Sequence, residues 1–294
     1  ASDIDLLFLL PDNVARETER QLEELIGLLW DIGLDIGHSV RTAWQCADEA
    51  ERDITVRTNL LEARLLCGNR ALFAEFSGRI LAQIDPKAFY KGKQLEQNER
   101  HVRHQETPYA LEPNCKESPG GLRDLQNILW ICRAANLGDS WNDLARRGFI
   151  TRGEALQLKG LEAFLRHARI RLHYLTGRRE DRLLFDHQEA IAGQFGIVAG
   201  KTRRASELLM QRYFRTAKSV TQLNTILLQN LGAEIFPEPN KVPIVINDRF
   251  QMDRELLDVR FEDVFEQAPS AILESFLIMQ QRAELKGMTA RTLR

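Results

Sequence analysis

At 294 residues the chain is long enough for one large domain or two ordinary ones. With 44% hydrophobic and 28% charged residues it reads as an ordinary globular sequence, and a net charge of −2 leaves no electrostatic footprint for nucleic acid. No apolar stretch approaches the roughly 18 residues of a membrane span, and the acidic N-terminus is unlike a signal peptide.

The chain opens with Ser2-Asp3-Ile4-Asp5 and the run Leu6 to Leu10. Residues two apart on a strand face the same side. Asp3 and Asp5 therefore project together, and Leu6 to Leu10 are expected to be buried on both faces, as in a covered parallel sheet. Two adjacent carboxylates suit a hard cation such as Mg²⁺, which can hold a nucleoside triphosphate for in-line displacement. A strand of this kind seldom opens a natural chain. Residue 1 therefore reads as a boundary inside a domain, and a segment so cut is expected to be inactive alone and to self-associate through its open edge.

Pro11-Asp12-Asn13 predict a turn. Val14 to Trp30 predict an amphipathic helix with Leu22, Leu25, Ile26 and Leu29 inward, ended by Gly33. Leu34 to Thr42 resemble a second strand. Helices are expected over Ile54 to Cys67 and Leu72 to Ile84, the first closed by Gly68 and the second by Asp85-Pro86. This β-α-β-α pattern makes residues 1–85 the later part of a small α/β domain.

Beyond Pro86 the pattern is mainly helical. Helices are predicted over Ala88 to Arg103, Leu122 to Ala135, Thr151 to Thr176 and Ala205 to Leu231, the last two as antiparallel bundle partners. Met210, Tyr213 and Phe214 read as core. Texture changes at Phe236-Pro237-Glu238-Pro239. Val242 to Ile246 and Leu256 to Arg260 then predict a hairpin, and Pro269 to Met279 a helix. The fold class is thus mainly α (α+β): a truncated α/β core, then a helical bundle domain over 86–294 with a small β-hairpin near 242–260. Cys46, Cys67, Cys115 and Cys132 lack any C-x-x-C spacing and suit free thiols in a reducing cytoplasm.

Asn114 to Asp124, NCKESPGGLRD, is the second chemical segment. Gly120-Gly121 admit unusual backbone, and a helix start favours anions. Lys116 and Arg123 add positive charge able to grip phosphate. An ordinary loop-to-helix junction, with Ser118 or Asp124 capping, fits the same residues. His101 and His104 stand three apart with no third ligand in view.

With SDIDLLFLL, GHSVRT (Gly37 to Thr42), DITVRTNLLEARLLCGN (Asp53 to Asn69), NCKESPGGLRDLQNILW, PIVINDRF (Pro243 to Phe250) and PSAILESFLIM (Pro269 to Met279) in order, the chain resembles the family of bifunctional uridylyltransferase/uridylyl-removing enzymes. The resemblance implies a nucleotidyltransferase that moves UMP from UTP to a Tyr hydroxyl of the nitrogen-signalling PII protein. Asp3 and Asp5 map onto its Mg²⁺ pair. Asp53 is preferred over Asp35 as third carboxylate, and Asn69 stands where many relatives carry an acid. The family's Gly-rich turn precedes the metal pair and is not in this sequence. Its hydrolase His-Asp pair is also missing, since Asp186-His187 has the reverse order. Competing readings are a helical interaction module without chemistry and a nucleotidyltransferase of another base specificity.

Overall fold

A computed structural model describes residues 4–104, 107–237 and 242–293. Strands β1 (Ile4–Leu10) and β2 (Ile36–Thr42) run parallel, from Ile4 opposite Ile36 to Leu10 opposite Thr42. Parallel neighbours need a crossover connection, which helix α1 (Arg16–Asp31) supplies. Gly33 ends that crossover at a φ of +81°, where a side chain would be strained. The edge of Trp30 packs on the His38 ring, which puts α1 over the face of β2 that carries His38.

The expectation that Leu6 to Leu10 are buried on both faces is corrected: all five are half-buried. The inward stripe of α1 is corrected as well, because only Ile26 is buried while Leu25, Leu28 and Trp30 stay exposed. Among the described residues this sheet has two strands, so each keeps an open edge and α1 has little apolar surface to cover.

Helix α2 (Ala43–Arg52) follows β2 without a loop. Thr42 and Gln45 form a capping box there, the Gln45 N–H donating to Thr42 Oγ1 at 3.2 Å and the Thr42 N–H to Gln45 Oε1 at 2.8 Å. This helix was not anticipated, although Thr-x-x-Gln is its signature. The single helix expected over 54–67 is shorter, α3 (Ile54–Leu61). In α4 (Arg70–Ala82), Asn69 is the N-cap, accepting from the Ala71 and Leu72 N–H groups at 2.8 and 3.3 Å. Asn and Asp cap equally well, so the cap does not require an acid at this position.

Asp85 caps α5 (Pro86–Arg103), with Pro at its first position. Helices α6 (Leu122–Ala134), α7 (Trp141–Arg146), α8 (Arg152–Thr176), α9 (Phe185–Gln194) and α10 (Ala205–Ile235) complete the helical domain. A Thr151/Glu154 capping box starts α8 and a left-handed Gly177 ends it. Helix α10 packs on α9 and α6 as well as on α8, so the bundle is broader than a pair. Met210 and Tyr213 are buried and Phe214 is packed against the core, as predicted. One apolar core runs from Ala43 of α2 to Ile235 of α10. A cross-link reinforces it, the Tyr90 hydroxyl donating to Leu228 O at 2.7 Å.

The C-terminal module holds a second core around Phe250, Leu257, Val259 and Ile278. Its sheet order is β3 (Ile244–Val245), β4 (Phe250–Asp253), β5 (Leu256–Val259) and β6 (Gly287–Met288). The expected pairing of 242–246 with 256–260 is corrected, because β4 lies between them. Arg254 and Glu255 join β4 to β5 at φ of 50° and 66°, a two-residue turn without the Asn-Gly signal that would have revealed it. Helices α11 (Val264–Gln267), α12 (Ala271–Gln281) and α13 (Ala290–Leu293) close the module. Glu238 and Pro239, part of the anticipated change of texture, lie outside the described residues.

All four cysteines are free. Cys46, Cys115 and Cys132 are buried, and burial pushes the Cys115 and Cys132 thiols up to about 12, so both stay protonated at neutral pH.

Candidate functional site

Asp5 lies opposite Gly37 in the β1–β2 ladder. A Cβ added at Gly37 would come within 2.9 Å of Asp5 Oδ1, so the carboxylate lies over this glycine and would have to shift for any larger residue there. By the two-residue period, Asp5 shares its face with Leu7 and Leu9. Those two pack against the main helical core. The carboxylate thus belongs to the sheet face that continues onto the helical domain, opposite the face covered by Trp30.

Asp5 is exposed, and its carboxylate has no hydrogen bond or ion pair among the described residues. An exposed, uncommitted carboxylate is a fitting donor for a hard cation. Its intended companion Asp3 lies outside the described residues. No group of three or more His, Cys, Asp or Glu side chains able to hold a metal occurs among the described residues, and His101 and His104 gain no third ligand.

Asp53 is the N-cap of α3. Its Oδ1 accepts from the Thr55 N–H at 2.6 Å and the Val56 N–H at 3.4 Å. The Thr55 bond foremost, with help from the positive Lys93, lowers its pKa below the ordinary carboxylate value. A depressed folded-state pKa contributes stability above the unfolded pKa, lost as pH falls through the folded one. Asn caps as well as Asp. Asp53→Asn keeps the cap acceptor and loses the charge, so at neutral pH it should lower the melting temperature only slightly, whereas loss of a catalytic carboxylate would appear as lost transfer. Unchanged transfer kinetics would leave Asp53 a cap alone. Asp35 is exposed, and its backbone oxygen accepts from the Ile4 N–H at 3.2 Å.

The loop at 114–121 is tightly built. Asn114 Oδ1 accepts from the Lys116 and Glu117 N–H groups at 2.9 and 2.8 Å, and the Asn114 N–H donates to Ser118 Oγ at 3.0 Å. Gly120 has a φ of +78° and abuts α10: an added Cβ would stand 2.3 Å from Ala217 O. The N–H groups of Leu122 and Arg123 donate to Cys115 O and Lys116 O, and that of Gly120 to Asp124 Oδ2 at 2.7 Å. The chain thus uses its own amides here, leaving side chains as the loop's means of holding an anion.

Those side chains meet at Glu117. Its Oε1 lies 3.6 Å from Lys116 Nζ and 3.2 Å from Arg123 Nη2, and its Oε2 lies 3.9 Å from Arg100 Nη1. The Arg123 guanidinium also sits 5.1 Å from the Trp130 ring centre. Beneath them Asp124 is fully buried, accepting from Arg100 Nη2 at 2.6 Å, with His101 Nε2 at 2.9 Å. Sequence reading passed over Arg100, Lys93 and Gln97. Their spacing of four and then three places polar residues on the buried stripe of α5, a pattern that marks a polar interior.

Fold and site together define a small parallel α/β unit set on an all-helical domain, followed in the chain by a module with a mixed four-stranded sheet. Residues 88–228 match the family described as GlnD PII-uridylyltransferase, and residues 250–294 match the uridylyltransferase GlnD third domain. The chain is 62% identical over 293 residues to a bifunctional uridylyltransferase/uridylyl-removing enzyme of Aromatoleum aromaticum. It is 56% identical over 299 residues to that of Nitrosospira multiformis and 53% over 293 to that of Bordetella parapertussis. Each comparison covers all of this chain and 34% of the relative, so the chain spans about a third of the length of the curated relatives it matches. No solved structure matches it. The chain belongs to the family of bifunctional uridylyltransferase/uridylyl-removing enzymes.

Proposed function

We propose that this chain forms part of a cytoplasmic PII uridylyltransferase that moves UMP from UTP to a Tyr hydroxyl of a PII protein. The observation that carries the reading is the uncommitted Asp5 carboxylate over Gly37, on the sheet face that runs onto the helical domain, in a chain whose relatives are named uridylyltransferases. In the reaction the Tyr oxygen bonds to the α-phosphorus, the bond from that phosphorus to the bridging oxygen of the β-phosphate breaks, and pyrophosphate leaves. Asp3 and Asp5 would hold Mg²⁺, which when bound offsets charge on the triphosphate. Asp53 is proposed as the third carboxylate. Lys116 and Arg123, at the loop surface, neutralise the triphosphate or position the protein substrate. A cytoplasmic setting agrees with the finding that no helix among the described residues is long and apolar enough to cross a membrane.

The test is label transfer by the complete gene product. UTP labelled at the α-phosphate should label a PII protein at Tyr, γ-labelled UTP should not, and ATP should be a poor donor. Preferential transfer from ATP would assign another base specificity. No transfer from either nucleotide would favour an interaction module. In the same assay Lys116→Ala and Arg123→Ala should raise the UTP KM or lower kcat at an unchanged melting temperature. A lower melting temperature with unaltered kinetics would make the loop a structural junction only.

A further inference from the structure

A groove of about 430 Å³ runs along α10 where Tyr109 lies against it. Glu207, Gln211, Phe214 and Lys218 line it at spacings of four, three and four, a single helical stripe about 16 Å long at 1.5 Å per residue. Met210 and Tyr109 complete its apolar wall. Tyr109 is 51% exposed and meets Phe214 edge-on, with ring centres 6.0 Å apart. A stripe of this length with an exposed aromatic at its rim offers anchor points for a protein segment, and the flexible thioether of Met210 adapts to the side chain that fills it.

The charge at the groove is one-sided. Arg215 and Lys218 line it, both are exposed, and neither has an ion pair or a side-chain hydrogen bond among the described residues. Arg203 stands at its end, donating from Nη1 to Gln211 Oε1 at 3.4 Å, and has no ion pair among the described residues either. Glu207, the one carboxylate among the described lining residues, already accepts from the Arg204 N–H at the start of α10. Three cations against one engaged carboxylate complement an acidic partner surface. Small ligands are mostly enclosed by their sites, whereas this groove lies open along the helix and fits a segment of a protein. Its place in the fold is also informative: Ala217, next to Lys218, receives Gly120 of the loop that carries Lys116.

We propose that this groove docks the protein substrate. An acidic segment of the PII protein places an apolar side chain against Tyr109, Met210 and Phe214 and its carboxylates against Arg215 and Lys218. The proposal rests on the uridylyl-transfer reading and adds to it the surface that holds the substrate protein beside the loop.

Two measurements on the complete gene product test this: steady-state transfer with the PII protein and UTP varied in turn, and calorimetry of PII protein binding without UTP. The double variant Arg215→Glu/Lys218→Glu reverses two exposed charges. It should raise both the KM and the Kd for the PII protein by at least about tenfold, because like charges then face each other across the interface. Tyr109→Ala removes the exposed anchor and should raise them by roughly tenfold. The KM for UTP should hold in both variants, as should kcat at saturating PII protein, which separates docking from a lost phosphate contact or a loosened fold. Added salt should weaken wild-type binding. Absence of PII protein binding, or a KM and Kd within about twofold of wild type in the charge-reversed variant, overturns the docking. A wild-type dimer that the same variant makes monomeric, with PII affinity unaltered, overturns it too and gives the groove to a second copy. PII protein binding that shows the expected losses, with no transfer by the wild type, would instead count against the uridylyl-transfer reading alone.

Discussion

Asp5→Asn in the complete gene product should lower uridylyl transfer by at least about 10²–10³-fold, the scale of removing one electrostatic contact to a reacting phosphoryl group. The substitution is nearly isosteric, and the carboxylate has no hydrogen bond or ion pair among the described residues. Stability should therefore stay at the wild-type value while activity falls. Gly37→Ala is a companion test from the opposite strand. Its new Cβ would meet Asp5 Oδ1 at 2.9 Å, so the carboxylate has to move and transfer should drop with the Asp5 side chain still present. Steady-state transfer from labelled UTP measures both variants. Near-normal turnover by Asp5→Asn would remove Asp5 from the metal site.

Asp124→Ala should be the most destabilising single change in the loop-helix junction, costing about 3–5 kcal/mol. Asp124 is fully buried and accepts from the Gly120 N–H and from Arg100 Nη2. Truncation leaves the Arg100 guanidinium buried without its counter-charge and opens the turn that presses Gly120 onto α10. Asp124→Asn keeps an acceptor oxygen and loses the charge, so it should fall between the two. Denaturant unfolding of the three proteins gives the ranking. An alanine variant within about 1 kcal/mol of wild type would show that Arg100 finds another partner or water, and that Asp124 is not the anchor of the junction.

Much of this was legible in the chain itself. Thr151 with Glu154 and Gly177 bracket α8, and Asp85-Pro86 starts α5, because caps depend on residues adjacent in sequence. The Asp-x-Asp ahead of a leucine run placed Asp5 at the start of a strand, since side-chain direction in a strand follows from the period of two. Burial was another matter. Leu6 to Leu10 have the composition of a doubly covered strand, yet coverage depends on which neighbours arrive, and among the described residues β1 pairs with one strand and stays half-buried. The turn at Arg254-Glu255 was hidden for a related reason: its left-handed backbone is imposed by the pairing of β4 with β5 rather than by residues that prefer it.

Chain order alone could tie Lys116 and Arg123 to one loop. Only the tertiary structure decided what surrounds them. It set Glu117 between three cations and buried Asp124 under Arg100. It also turned Gly120-Gly121 from a possible amide cradle into a close contact with α10. Electrostatic partners are chosen by distance in space, and residues 93, 100, 117, 124 and 130 meet only because α5 packs on α6.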